Sequence, residues 1–556
     1  MIHKEGLKDD PENFRGITLT SNLSKIFNAI INVRISNYLE ENNLIVIEQG
    51  GFRKDYRTSD HIFVLQTIIQ KYINKGNKLY SCFVDLKKAF DSVERQGLIQ
   101  KLCKIGLGKR TVNLLTNMYK NTHTSIIYKN NILPKIPTTK GLKQGDNLSP
   151  LLFNIFINDL PETLKQGKTD PVQLQECNIN SMLWADDIIL FSETTEGLQQ
   201  CLDNLSDYCK KWKLEINIKK TKSVIFNKIG KRLKNNGIKL NSVEIEHVSS
   251  YTYLGFTISA SGKFHLGIQN LVDKAQRAWF SILKILNKSK HKQVDTYLIL
   301  FDRIIKPILL YACEIWGKTV NNEMLTELGK SLIERFHFKI CKQIIGVNKK
   351  TSNIATIAEL GRYPLYIDIQ TQIIKYLLRL KIIKKERLLF KAYQEQIENI
   401  NEQNNWINNA KIILDKNGLS YIFLNHKDSV NIINHRGIKE MGFYLKNRIK
   451  DIFEQNIMYH FHIKTKNKEG KLIFYGQLKG RYIKENYLNI KNVEYRKMLS
   501  NIRMSTHKLE LETGRYKHIE RENRLCKSCN MKKIETEEHF LLECTAYNHH
   551  RKMFNT

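Results

Sequence analysis

Residues 181–192, SMLWADDIILFS, decide how the N-terminal half of this chain is read. Two apolar runs, Met182–Ala185 and Ile188–Phe191, are separated by Asp186 and Asp187. The pattern predicts a β-hairpin whose two-residue turn consists of both acids. Aspartate is an ordinary turn former, so a plain turn accounts for either acid alone. Adjacent carboxylates between strongly apolar strands nevertheless repel each other, which costs stability unless a cation neutralises them. A hard divalent ion with oxygen ligands, Mg²⁺ by default, is the natural partner.

A hundred residues upstream, KLYSCFVDLKKAFDSV (78–93) supplies a third acid. The run Leu79–Val84 reads as a buried strand, Asp85 stands where it ends, and a helical pattern follows from Phe90. A carboxylate fixed at the end of a core strand can hold a metal, although taken alone an aspartate there is more often a helix cap or turn former. Between the two acid segments lies TTKGLKQGDNLSPLLFNIFINDLPETL (138–164). Gly141 and Gly145 bracket a loop presenting Gln144, Ser149 reads as an N-cap, and Pro150 suits a first helical turn. The helix is expected to bury Leu152, Phe153, Phe156 and Leu160 and to stop at Pro161. Main-chain amides at such a junction can shape a nucleotide pocket.

Composition narrows the classes. Of 556 residues, 89 are Lys or Arg and 55 are Asp or Glu, a net charge of +34. That surplus suits long contact with a polyanion such as nucleic acid. The 42% of hydrophobic residues is enough for several folded domains. The most apolar stretch, IIKPILLYACEIWG, is broken by Lys306 and Pro307, so no membrane span is expected. MIHKEGLKDD lacks the apolar core of a signal peptide, and ten scattered cysteines read as reduced thiols, which together predict an intracellular protein.

The first 260 or so residues alternate short apolar runs with helical stretches, an α+β pattern. From Phe264 three long amphipathic helices are expected, over 271–288, 294–316 and 325–345, followed by a largely helical connector rich in Asn, Lys and Ile. Near the C-terminus Cys526 and Cys529 form a CxxC, with His539 after nine intervening residues and Cys544 after four more. Three thiolates and one imidazole make a closed tetrahedral set, which predicts one structural Zn²⁺.

In combination, FVDLKKAFDSV, GLKQGDNLSPLLFNIFINDL and WADD resemble the catalytic palm of reverse transcriptases of non-LTR (LINE-type) retrotransposons. NFRGITLTSNLSKIFNAIINVRI and QGGFRKDYRTSDHIFVLQ are similar to that family's fingers motifs. WKLEINIKKTKSVIF and YTYLGFTIS are similar to its later palm and primer grip, and KPILLYACEIWG and IIGVNKKTSNIATIAELGRYPL to its thumb and post-thumb region. The resemblance implies a right-hand polymerase: fingers over 1–84, palm over 85–262, helical thumb and post-thumb over 263–380, connector over 381–500 and zinc module over 501–556. It makes Asp85, Asp186 and Asp187 the acidic triad, holding two Mg²⁺ ions, or Mn²⁺, about 3.5–4 Å apart. By the same matching Phe90 blocks a ribose 2′-hydroxyl, or else is a core aromatic. Gln144 and Gly145 line the dNTP site, Arg53 grips the triphosphate, and Lys222, with Lys220 as its competitor, protonates pyrophosphate. Trp184 departs from the family's Tyr or Phe.

The partners implied are an RNA template, a DNA primer or target, and dNTPs. The setting implied is a ribonucleoprotein of nucleus and cytoplasm. A catalytically inactive nucleic-acid-binding remnant is the rival reading, set against by the intact acids. An intron maturase fits the palm but matches the thumb and Cys/His segments less well. Neither flank offers the ~100 residues of a folded nuclease, so primer extension without DNA nicking is expected.

Overall fold

The strand that carries Asp85 lies inside the sheet of the computed structural model. Residues 2–554 are described, apart from 4–6, 8, 11–12, 129–130, 231–236, 290–291, 318–328, 425 and 468–469. They divide into two compact units, Met1–Gly267 with Ile382–Ile407, and Ile268–Lys381 with Asn408–Thr556.

In the first unit, helices α1 (Asn22–Glu41) and α2 (Thr58–Asn74) precede strand β1 (Leu79–Asp85). Helix α3 (Ser149–Phe156) leads through a short helix, Leu160–Leu164, to strands β2 (Ser181–Trp184) and β3 (Asp187–Ser192). Helix α4 (Thr195–Trp212) and strand β4 (Lys222–Phe226) follow, and β5 (Ser250–Tyr253) and β6 (Phe256–Ser259) form a separate hairpin. The main sheet has the order β2-β3-β1-β4, antiparallel throughout. Leu79 and Cys82–Val84 of β1 and Ile188–Phe191 of β3 are buried, as continuous apolar runs in central strands require. Helix α4 packs on β3 and β1, and α2 on β1.

Two local expectations around α3 change. Leu148 occupies the N-cap and Ser149 opens the helix. Leu152, Phe153, Phe156 and Leu160 are buried as expected, but α3 ends at Phe156, and Pro161 starts the next helix instead of stopping this one. Proline's missing N–H suits a first turn as well as it suits a stop.

The segment Ile382–Ile407, read from sequence as the start of the connector, is part of the first unit. Its helix Leu388–Glu398 packs on α2, Lys71 pairs with Glu395 at 3.0 Å, and Trp406 meets Phe63 edge-on at 5.3 Å.

The second unit is helical. The expected helix over 271–288 is present within His265–Lys288. The one expected over 294–316 is divided: Val294–Leu300 runs through a π-helical turn, Phe301–Ile305, into Lys306–Leu309, and Ala312 at φ 53 precedes Cys313–Trp316. Pro307 removes one backbone donor, and the wider turn before it absorbs the mismatch. The third helix runs Leu332–Ile345; the start expected at 325–328 lies outside the described residues. Helices Leu365–Lys381 and His426–Lys466 pack together, the latter interrupted at Gly437. Among the described residues no helix is long and apolar enough to cross a membrane.

Candidate active site and metal centre

Register brings the acids together. Trp184 pairs with Asp187 across the hairpin, and Asp187 pairs with Asp85 across β3 and β1. The turn is therefore Ala185-Asp186, one residue earlier than the two-acid turn expected, and Asp187 opens β3. The pairing with β1 overrides the turn preference of aspartate. Ala185 takes φ 55, a left-handed conformation that glycine or asparagine adopts more readily. It is held there by Gln49, whose Oε1 accepts the N–H of Ala185 at 2.9 Å and that of Gly51 at 2.8 Å. A methyl group on Gly51 would lie 2.3 Å from the Ala185 nitrogen, so only glycine fits beneath the turn.

Burial among the strand ends pushes Asp187 up to about 6, and the charges of Asp186 and Asp85 push the same way. Its side chain still reaches solvent, and among the described residues its carboxylate has no hydrogen-bond or ion-pair partner. Asp85 is held from behind: Asn217 Nδ2 donates to Oδ2 at 3.0 Å, and the Asn217 N–H donates to the Asp85 carbonyl at 2.8 Å. Asp187 faces Asp85 across the ladder and Asp186 adjoins it in the turn, and carboxylates so placed offer the oxygen donors that a hard divalent ion takes.

The surroundings of the acids are aromatic. Trp184 meets His61 edge-on at 5.0 Å, and His61 Nδ1 lies 3.3 Å from the Tyr253 hydroxyl. Burial, with a smaller contribution from the charge of Arg53, pushes His61 down to about 3, so the ring is neutral near pH 7. Tyr251 stacks on Phe83 at 4.3 Å, and its hydroxyl is pushed up to about 12 by burial and then by the charges of Asp187 and Asp85. The β5–β6 hairpin thus stands beside the acids.

The remaining site residues differ in their engagement. Phe90 is buried, stacked on Phe153 at 4.7 Å and edge-on to Phe52 at 6.5 Å. Gln144 donates to Asp91 Oδ1 at 3.0 Å, and Gly145 at φ 105 passes so close to the Thr18 carbonyl that a Cβ would lie 3.0 Å away. Arg53 makes four hydrogen bonds to protein acceptors: Glu40 at 2.7 and 2.8 Å, Val46 O at 3.1 Å and Gln49 O at 3.0 Å. Lys222 pairs with Glu246 at 2.6 Å. Sequence reasoning missed Asn217 and Gln49. The signal at Asn217 was that of a turn former before a strand, and nothing local ties it to an acid 132 positions away.

In the second unit Cys526, Cys529, His539 and Cys544 offer ligand atoms that all lie within 4.8 Å of one another. Zn–S and Zn–N bonds of ~2.3 and ~2.0 Å set tetrahedral S···S and S···N separations of roughly 3.8 and 3.5 Å. The Cys526–Cys544 sulfurs are 3.9 Å apart, and Cys529 Sγ lies 3.4 Å from His539 Nε2. The other ring nitrogen, Nδ1, faces Glu543 at 3.4 Å, the outer contact that orients a ligating imidazole.

A strand-end carboxylate and an acidic hairpin meet on one antiparallel sheet, as in a polymerase-like fold. Residues 2–258 match the family described as Reverse transcriptase (RNA-dependent DNA polymerase). The chain is similar to "Probable RNA-directed DNA polymerase from transposon BS" of Drosophila melanogaster, at 27% identity over 57% of this chain and 35% of that protein. It is similar to "RNA-directed DNA polymerase from mobile element jockey" of the same organism, at 26% identity over 57% of this chain and 34% of that one. "Retrovirus-related Pol polyprotein from type-1 retrotransposable element R2" of Nasonia vitripennis matches at 27% identity over 58% and 31%. The matched part spans about a third of the length of these relatives.

Proposed function

We propose that this chain is an RNA-directed DNA polymerase of a non-LTR retrotransposon, extending a DNA 3′ end on an RNA template with dNTPs. The observation that carries the reading is the meeting of Asp85 and Asp187 across the central strands with Asp186 in the adjoining turn, where burial and mutual charge hold the Asp187 pKa up. Two Mg²⁺ ions held by these three acids, or Mn²⁺ in their place, would supply Lewis-acid activation of the primer hydroxyl and neutralise charge on the leaving pyrophosphate.

The chain's own residues have distinct parts in this reading. Asn217 fixes the Asp85 carboxylate, and Gln49 with Gly51 fixes the turn carrying Asp186. Phe90, wedged on Phe153, bounds the sugar side of the dNTP site, where its bulk excludes a 2′-hydroxyl. Gln144 and the backbone at Gly145 line the same site. Arg53 frames that site through its Glu40 pair and reaches a triphosphate only by exchanging that partner. Lys222 donates a proton to pyrophosphate once released from Glu246. The division into fingers, palm, thumb, connector and zinc module belongs to the same reading, as does a ribonucleoprotein setting within the cell. One structural Zn²⁺ on Cys526, Cys529, His539 and Cys544 would brace a C-terminal nucleic-acid grip.

Primer extension on a poly(A)-bearing RNA template with dNTPs and Mg²⁺ tests the proposal. Extension is expected from the wild-type chain and its loss from Asp85→Ala and Asp186→Ala. An Asp85→Ala protein extending at the wild-type rate would overturn the triad.

A further inference from the structure

The second unit carries an open cleft of about 430 Å³, a size typical of small-ligand sites. It lies between the start of helix Val294–Leu300 and the stretch leading into helix Val493–Arg503. Val294 and Leu488 are buried and form an apolar floor. Lys292 and Lys491 are exposed at the rim.

Arg496 forms part of the wall and is only 4% exposed. Its Nη1 donates to the Ile490 carbonyl at 3.1 Å and its Nη2 to the Lys292 carbonyl at 2.9 Å, so the guanidinium ties the two segments together. Its Nε finds no acceptor among the described residues. A buried donor without a partner is unfavourable until an oxygen reaches it. The acid of the described lining, Asp295, is already paired with Lys484 at 2.7 and 2.8 Å. The helix end contributes little, because the Asn492 side chain already accepts from the N–H groups of Glu494 and Tyr495.

Three cations over an apolar floor, with the neighbouring carboxylate neutralised, suit an anion that carries an apolar body. We infer that this cleft binds a nucleotide unit, its phosphate toward Arg496, Lys292 and Lys491 and its sugar and base against Val294 and Leu488. With both Nη groups held by carbonyls, the Arg496 Nε–H is the donor left for a phosphate oxygen, and the guanidinium's charge strengthens that bond. The nucleotide can come from a polynucleotide strand or be free in solution, and the chemistry at the cleft is the same. The site contains none of the residues assigned to polymerase chemistry, so it can fail while primer extension succeeds.

The test uses the full chain and a short single-stranded RNA carrying 4-thiouridine, cross-linked by light and mapped by peptide mass. Adducts are expected in residues 292–297 or 488–496. Excess adenosine monophosphate that removes those adducts identifies a free nucleotide as the occupant, whereas adducts that survive it identify the strand. The variant Lys292→Ala/Lys491→Ala changes two exposed side chains and should keep the wild-type melting temperature. Its plot of log affinity against log salt should be shallower by about 1.4, two phosphate contacts at ~0.7 each for single strands. Adducts confined to other peptides, together with an unchanged slope, would overturn the inference.

Discussion

Asp187 is raised to about 6 where the unfolded chain would titrate near the ordinary aspartate value. The folded state therefore holds this proton more tightly, and stability falls as pH rises from about 4 to about 6 when no divalent cation is present. The cost is complete above pH 6, and a bound cation removes it. Mg²⁺ should accordingly raise the melting temperature at pH 7.5, with an increment that shrinks below pH 6. Asp187→Asn should melt higher than wild type without Mg²⁺ at pH 7.5 and lose most of the Mg²⁺ response. An increment equal at pH 5 and pH 7.5 would count against the site. Asn217 acts one step back. Asn217→Ala removes a hydrogen bond to a charged acceptor, worth about 1.5–3 kcal/mol. If that is lost from the transition state, kcat falls about 10- to 100-fold. A rise in the Mg²⁺ concentration for half-maximal rate, measured well below the variant's lowered melting temperature, separates positioning of Asp85 from a general role in folding.

The hairpin β2–β3 depends on the segment beneath it. Gly51→Ala would drive a methyl into the Ala185 backbone, with an expected cost of about 1–3 kcal/mol and loss of primer extension. Gly16→Ala, where a Cβ meets nothing within 4 Å, should be neutral in both assays. Calorimetry of the two variants checks the contrast. The same hairpin marks how far the sequence could be read. Its two strands and the core strand Leu79–Asp85 were legible because burial on both faces writes continuous apolar runs. The turn was misread by one residue, since local preference favours aspartate over alanine there, and the deciding term is the register against β1. Gln49 and Asn217 were invisible for the same reason: their partners are far along the chain. The division of the helix expected over 294–316 was partly announced by Pro307, though not the reversal at Ala312. The Cys/His cluster, by contrast, was legible in full as spacing, because its ligands lie within nineteen positions of one another. There the expected outcome is one zinc per chain by metal analysis, lost in Cys529→Ser. Chelation should release protection from hydrogen exchange around residues 526–544 while leaving β1–β4 protected. A zinc content near zero would refute it.

Across the whole molecule, if the proposed function holds, the +34 charge would set the strength and the salt sensitivity of nucleic-acid binding before any base is read. Paired cations add little to this. Arg53 with Glu40, Lys222 with Glu246 and Lys484 with Asp295 spend much of their field on protein carboxylates. The excess remains nonetheless, because Lys and Arg outnumber Asp and Glu by 34. A surface that neutralises phosphates releases condensed counterions, so log affinity for a primer–template should fall linearly with log salt. With six or more phosphate contacts, affinity should drop on the order of 10³-fold between roughly 50 and 200 mM salt. Asp85→Ala should bind with the same slope, since on the proposed function it removes a metal ligand and not a phosphate contact. Fluorescence anisotropy of a labelled RNA–DNA primer–template across that salt range measures both lines. A flat dependence would show that the charge surplus is not spent on nucleic acid. Parallel lines for wild type and Asp85→Ala, with extension retained only by the former, would separate the surface that holds the substrate from the acids that act on it.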